Sequence, residues 1–167
     1  MAACRLFTAG AAILSTDVPL QRHAADCPRV VLDTNVSLAL FAYQDGRCAG
    51  LLAALRAGRR QAVTHEAARS EWLRVLQRIE LKFDPAQRVQ AALLFDGLVT
   101  LINTDAATRS ALTLPRCRDP DDQIFLELAR DSGAAVLYSR DRELLKLSRQ
   151  TERRVGFVVL RPEDPCA

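Results

Sequence analysis

From residue 29 onward the chain alternates short apolar runs with longer amphipathic stretches. "VVLD" over 30–33 predicts a short buried strand that ends in an acid. Apolar positions over 36–43 suit a helix, and a second helical stretch over 47–57 stops at Gly58. "QAVT" (61–64) predicts a strand. Residues 65–82 predict a helix whose stripe is Ala68, Trp72, Val75, Leu76, Ile79 and Phe83, at i, i+3, i+4 spacing. Asp84 followed by Pro85 is an N-cap with proline in the first turn. That helix continues through Leu93 and Leu94, and "LVTLI" (98–102) predicts a strand. A polar opening followed by Ile124, Phe125, Leu128 and Ala129 predicts a helix that Gly133 ends. "AAVLYS" (134–139) reads as a buried strand, "RDRELLKL" as a short helix and "RVGFVVL" (154–160) as the last strand.

This alternation predicts the α/β class, with a parallel sheet covered by helices on both faces. A length of 167 residues suits one domain with a sizeable core. Residues 1–28 break the pattern and read as a flexible or loosely docked extension before a domain at 29–167, with a swapped or partner-binding arm as the alternative. Their apolar patch lacks the basic start of a signal peptide. No apolar run reaches the ~20 residues of a membrane span. Cys4, Cys27, Cys48, Cys117 and Cys166 are odd in number and form no C-x-x-C pair, which argues for free thiols and a cytoplasmic location. A net charge of +3 is too small to argue nucleic-acid binding by itself. The positive charge is almost all arginine, with Lys82 and Lys146 the only lysines. Guanidinium forks suit phosphate, although a GC-rich coding sequence gives the same bias.

Candidate chemistry follows from where the acids fall. In an open parallel sheet, sites form outside the carboxyl ends of the strands. Asp33 and Asp141 end two strands and so land on one rim. Glu71 lies in line with Ala68 and Val75 and can lean over the core. Asp121 and Asp122 open a helix, where the dipole favours anions, and helical face alone does not choose between them. Each acid also has a structural explanation, since Asp33, Asp119 and Asp121 could each be a helix cap. Convergence is what separates the two readings. Carboxylates ~4 Å apart repel by about 4 kcal/mol per pair at an effective dielectric near 20. A converging set must protonate, spread into solvent or hold a cation. Oxygen-only sites suit Mg²⁺ or Mn²⁺, and such ions polarise phosphoryl groups, which points to phosphodiester hydrolysis.

The segments "VVLDTNV", "SEWLRVL", "CRDPDDQIFLELA" and "VLYSRDRELL", in this order, resemble the PIN domain over about residues 29–162. Within it the chain is most similar to the bacterial branch of toxin components of toxin–antitoxin systems, related to VapC. The resemblance implies a three-layer α/β/α sandwich around a central parallel sheet of about 4–5 strands. It implies a Mg²⁺- or Mn²⁺-dependent ribonuclease acting on single-stranded RNA, with a cognate antitoxin and homodimerisation as further expectations. Carried over residue by residue, Asp33, Glu71, Asp122 and Asp141 are the catalytic, metal-holding acids, Asp122 because it stands seven residues before Ala129. Asn35 and Ser139 match the polar residues that support the pocket, and Asp119 and Asp121 are alternate or supporting ligands. Arg116, Arg118, Arg140 and Arg142 flank the acids as candidate RNA contacts. Arg140 stands where this branch commonly has glycine, and is expected to narrow the pocket or bind phosphate. A haloacid-dehalogenase-like phosphatase would want a second Asp two residues after Asp33, where Asn35 stands. A receiver domain would want a later lysine, and Lys146 is poorly placed. The non-enzymatic alternative is a PIN-fold scaffold for RNA or protein, which has no need to keep mutually repelling acids.

Overall fold

The computed structural model describes residues 27–103 and 111–164. The expectation for the N-terminal extension therefore lies, apart from Cys27 and Pro28, outside the described residues. Five strands form one parallel sheet: β1 (Arg29–Leu32), β2 (Gln61–Thr64), β3 (Val99–Leu101), β4 (Val136–Tyr138) and β5 (Val158–Leu160), in the order β3-β2-β1-β4-β5. β1 is central and buried on both sides, which is why it is a run of branched aliphatics rather than an alternation.

Successive residues of each strand face opposite layers, and the core divides accordingly. Val30, Leu32, Ala62, Val136 and Tyr138 pack on one side with Val36, Phe41, Trp72 and Phe95. Val31, Val63, Leu137 and Val159 pack on the other with Phe125, Leu128, Ala129, Leu144 and Phe157. The first layer is supplied by α1 (Thr34–Ser37), α2 (Ala49–Arg56), α3 (Glu66–Leu76) and α4 (Pro85–Leu98). The second is supplied by α5 (Gln123–Ser132), α6 (Arg142–Lys146) and α7 (Ser148–Val155). This is the expected three-layer α/β/α sandwich. Among the described residues no helix is long and apolar enough to cross a membrane.

Several elements form where the sequence predicts them, for identifiable reasons. β2 spans 61–64 as expected. Asp84 and Gln87 make a reciprocal capping box at the start of α4, with Pro85 in its first turn. Gly133 ends α5 in the left-handed conformation, φ 64°.

Three departures have local causes. The helix expected over 65–82 stops at Leu76, and a short 3-10 turn, Ile79–Leu81, follows. Lys82 then takes a left-handed φ of 54° and turns the chain toward the α4 cap. The helix expected over 36–43 begins earlier and changes type, α1 passing into a π-helical turn at Leu38–Ala42. The last strand is shorter than 154–160, because Ser148–Val155 is helix and Gly156, at φ 92°, turns the chain into β5. Thr151 is the only fully buried residue of α7, so its sequence carries too little apolar periodicity to mark it.

The position of α5 depends on its glycine stop. A Cβ at residue 133 would meet no atom within 4 Å, so any cost of adding one is conformational. Gly133→Ala is expected to lower unfolding free energy by about 1 kcal/mol in urea denaturation, with an unchanged denaturant slope.

Candidate active site

The register of β1 against β4 sets the site. Val31 pairs with Leu137 and Leu32 with Tyr138, and the Asp33 N–H continues the ladder by donating to the Tyr138 carbonyl at 3.0 Å. Asp33 and Ser139 therefore come to lie side by side at the strand tips. The Asp33 side chain is only 2% exposed. One carboxylate oxygen, Oδ1, accepts from the Val36 N–H at 2.6 Å, which makes Asp33 the N-cap of α1. The other, Oδ2, accepts a short hydrogen bond from the Ser139 hydroxyl. Ser139 Oγ in turn accepts the Asp141 N–H at 2.9 Å. The serine hydroxyl proton is thus committed to Asp33, and one buried side chain links the two rim acids.

Asp141 caps α6, its Oδ1 accepting from the N–H groups of Glu143 at 2.6 Å and Leu144 at 3.2 Å. Capping also separates the acids before α5. Asp119 Oδ1 accepts the Asp121 N–H at 3.0 Å and so closes its own turn, and both residues are exposed. Asp122 occupies the N-cap position of α5 but makes no side-chain capping bond, and it is partly buried. The sequence left Asp121 and Asp122 level as inward-facing acids; the structure sets Asp122 apart.

The electrostatics join these acids. Burial pushes the Asp33 carboxyl up to about 6, and the charge of Asp122 adds to this. Hydrogen bonds from Ser139, Val36 and the Arg140 backbone pull against that rise. Asp122 is also raised to about 6, first by burial and then by the charges of Asp141, Asp119 and Asp121. Two carboxyls that titrate near 6 because they are dehydrated and each face negative charge form an environment that favours a proton or a cation. Cys117, buried nearby with its N–H donated to Gln123 Oε1 at 2.8 Å, is shifted up by burial and by the charges of Asp122 and Asp141.

The remaining sequence-predicted residues fall in different places. Asn35 is exposed and lines a groove of about 670 Å³ with Ala39, Tyr43, Asp45, Arg47, Arg140 and Asp141. Glu71 is partly exposed on α3, and its carboxylate is held by Arg74 at 2.5 Å. Arg116 and Arg118 are exposed beside the start of α5, and Arg142 is exposed at the start of α6. Arg140 lines the same groove. Its guanidinium is engaged by Asp45 at 2.9 Å and by Glu163 at 3.3 Å. Tyr43, Asp45 and Arg47 line the groove without having been singled out in the sequence. Tyr43 read there as the end of a helix, and nothing in its spacing marks a site.

Among the described residues, no three His, Cys, Asp or Glu side chains form a ready-made cage for a metal ion. The donor chemistry nevertheless fits Mg²⁺ or Mn²⁺. Such ions keep several waters and are held through one or two carboxylates together with substrate phosphates rather than by all-protein cages. On that basis one or two of Asp33, Asp122 and Asp141, completed by substrate phosphate and water, could hold one.

The titrations predict a linked dependence on pH and metal. Asp33 and Asp122 titrate near 6 in the folded chain and near 4 when unfolded, so between these values the folded chain binds more protons. Their stabilising contribution is full below about pH 4 and is lost as pH rises through 6, with Asp33 accounting for about 3 kcal/mol. In EDTA the protein should melt lower at pH 7.5 than at pH 5. Mn²⁺ should raise the melting temperature more at pH 7.5 than at pH 5, because the ion competes with the same protons. Asp33→Asn should melt above the wild type in EDTA at pH 7.5 and lose most of its response to Mn²⁺. Equal Mn²⁺ shifts at both pH values would dissociate the acids from metal binding.

Comparison with curated proteins finds no match. Among solved structures, a chain of the crystal structure of VapBC2 from Rickettsia felis bound to a DNA fragment from their promoter is similar, with a TM-score of 0.53. The likeness covers 80% of this chain and 98% of that one at 11% sequence identity, which makes it a likeness of fold. The PIN domain family matches residues 29–143, more than half of the chain. The match runs from the strand that carries Asp33, through α5 and its N-cap Asp122, to Asp141, and the chain therefore belongs to the PIN domain family.

Proposed function

We propose that the protein is a Mg²⁺- or Mn²⁺-dependent endoribonuclease acting on single-stranded RNA, and that it is the toxin of a toxin–antitoxin pair. The observation that carries this reading is the dehydrated Asp33 carboxylate, joined through Ser139 to Asp141 and raised by the charge of Asp122. A fold has no stability reason to bury an acid among acids. Such an arrangement is understandable where a cation and a phosphodiester are the intended occupants. A divalent ion bound there would neutralise the acids and polarise the scissile phosphate.

The chain's own residues supply the rest. Ser139 and the Val36 N–H fix both oxygens of Asp33, so its orientation is set before substrate arrives. Asp122, with no capping bond to hold it, takes the proton from the attacking water. Water adds to phosphorus as the bond to the 3′ oxygen breaks, and the departing oxygen takes a proton from solvent, leaving a 3′-hydroxyl and a 5′-phosphate. Asp141 closes the rim on the side of the groove. Glu71 acts from further out, through water, once Arg74 is drawn away by substrate phosphate. Arg116, Arg118 and Arg142, all exposed near the acids, contact the RNA backbone. An antitoxin partner is supported by the fold likeness to a chain of a VapBC complex.

The test is cleavage of an end-labelled single-stranded RNA with Mn²⁺ or Mg²⁺, beside an EDTA control and the Asp33→Asn protein. Wild-type cleavage to 5′-phosphate ends is expected, abolished by EDTA and reduced on the order of 100-fold or more by the substitution. Cleavage that survives both controls would overturn the mechanism. Absence of both cleavage and Mn²⁺ stabilisation in the wild type would leave the scaffold reading.

A further inference from the structure

The first helix does not finish as an α-helix. The Tyr43 N–H donates to the Leu38 carbonyl, five residues back, at 2.8 Å, and the Asp45 N–H reaches the Ala39 carbonyl at 2.8 Å. Gln44 between them takes a left-handed φ of 50°. In a regular helix Tyr43 would share the buried face of Val36 and Leu40, at i+7 and i+3. The wider turn rotates it off that face, and the residue is 55% exposed. Phe83 braces the ring at a centroid separation of 4.9 Å and a 54° tilt. A π-turn and a left-handed non-glycine residue are unfavourable local choices, and together they hold an aromatic ring toward water beside the rim acids.

The same turn orders two guanidinium groups. Asp45 accepts from Arg47 through Nε at 3.1 Å and Nη2 at 2.7 Å, and from Arg140 Nη1 at 2.9 Å. Arg47 holds the Asp45 carboxyl well below the usual carboxylate range, so this anchor stays charged across the working pH range. The Arg47 side chain is pinned at one edge yet remains 71% exposed. Tyr43, Arg47 and Arg140 line one groove with Asn35 and Asp141.

We propose that this groove is a nucleotide subsite beside the catalytic acids, in which an unpaired base stacks on Tyr43 and its phosphate meets Arg47. The inference rests on the nuclease reading and gives it a reason for preferring single strands. In a duplex both faces of a base are covered by neighbouring bases, whereas in a single strand a face is available to an aromatic ring. An exposed ring beside a braced guanidinium supplies stacking and phosphate contact without reading base identity, so sequence preference from this subsite is weak. Arg140, tied at both ends, forms the wall that confines the nucleotide.

The experiment measures binding of a fluorescent single-stranded RNA to Asp33→Asn protein with Mn²⁺, so that the RNA stays intact. Adding Tyr43→Ala should weaken binding about tenfold, while Tyr43→Phe and Tyr43→Trp retain it. An oligomer of the same length with abasic riboses should bind less well than the normal RNA, and Tyr43→Ala should erase that difference. Arg47→Gln should weaken both oligomers alike and reduce the salt dependence by about one ion. Equal affinity for Tyr43→Ala, or equal binding of duplex and single strand, would overturn the subsite. A change in the sedimentation of the protein alone, with RNA affinity intact, would assign the ring to a contact between copies. The two readings fail separately. Binding without wild-type cleavage removes the nuclease and keeps the subsite; cleavage by Tyr43→Ala at wild-type KM removes the subsite and keeps the nuclease. An absence of both binding and cleavage removes both.

Discussion

A carboxylate held almost without water at the tip of the central strand is the constraint around which the rest of the site is arranged. It stays there because β1 and β4 keep pairing for one residue beyond β1, through the Asp33 N–H and the Tyr138 carbonyl. That extra bond delivers Ser139 to the acid, and Ser139 delivers the Asp141 backbone. The start of α1 then becomes a donor to the same carboxylate. Each of these groups would otherwise be a buried polar atom in need of a partner. The network satisfies them together, but among the described residues no cationic side chain pairs with the carboxylate it holds. The protein thus carries a local electrostatic cost at its centre that the two apolar layers on either side of the sheet must outweigh.

Much of this was legible in the sequence because the signals are local. Short branched runs mark β1, β2 and β4, Asp84 with Pro85 marks the start of α4, and Gly133 marks the end of α5. The placement of Asp33 and Asp141 on one rim followed from strand direction alone. Other features were illegible for a common reason, which is that they depend on partners distant in the chain or on competition between nearby groups. Asp119, Asp121 and Asp122 look alike as letters. The family resemblance picks out Asp122, but helical face does not; a physical difference emerges only when Asp119 is spent on the Asp121 N–H and Asp122 is left without a capping bond. Arg140 reads as a candidate phosphate contact, and its ties to Asp45 and Glu163 emerge only when the chain folds them against it. The π-turn at Leu38–Ala42 lies within a stretch of apolar residues that suits a regular helix equally well. Glu71 shares a helical face with Ala68 and Val75, yet three residues on stands an arginine that claims its carboxylate first.

The aromatic cluster beneath the first helix explains how an irregular turn persists. Phe41 meets Trp72 and Phe95 edge-on, and these two rings stack with centroids 4.3 Å apart. Phe41 is therefore clamped inside the π-turn itself. The helix cannot slip back by one residue to the regular geometry without dragging that ring from its pocket. Rigid packing on the inner side of the turn is what permits an unusual display on the outer side.

The clasp between Arg140 and Glu163 has a mechanical side. Glu163 lies on the segment that follows β5, whereas Arg140 immediately precedes Asp141. The tail and the acid rim are consequently joined by a tether that bypasses the sheet. A displacement of the segment that carries Glu163 therefore acts on Arg140, and through it on one wall of the groove, without passing through the sheet.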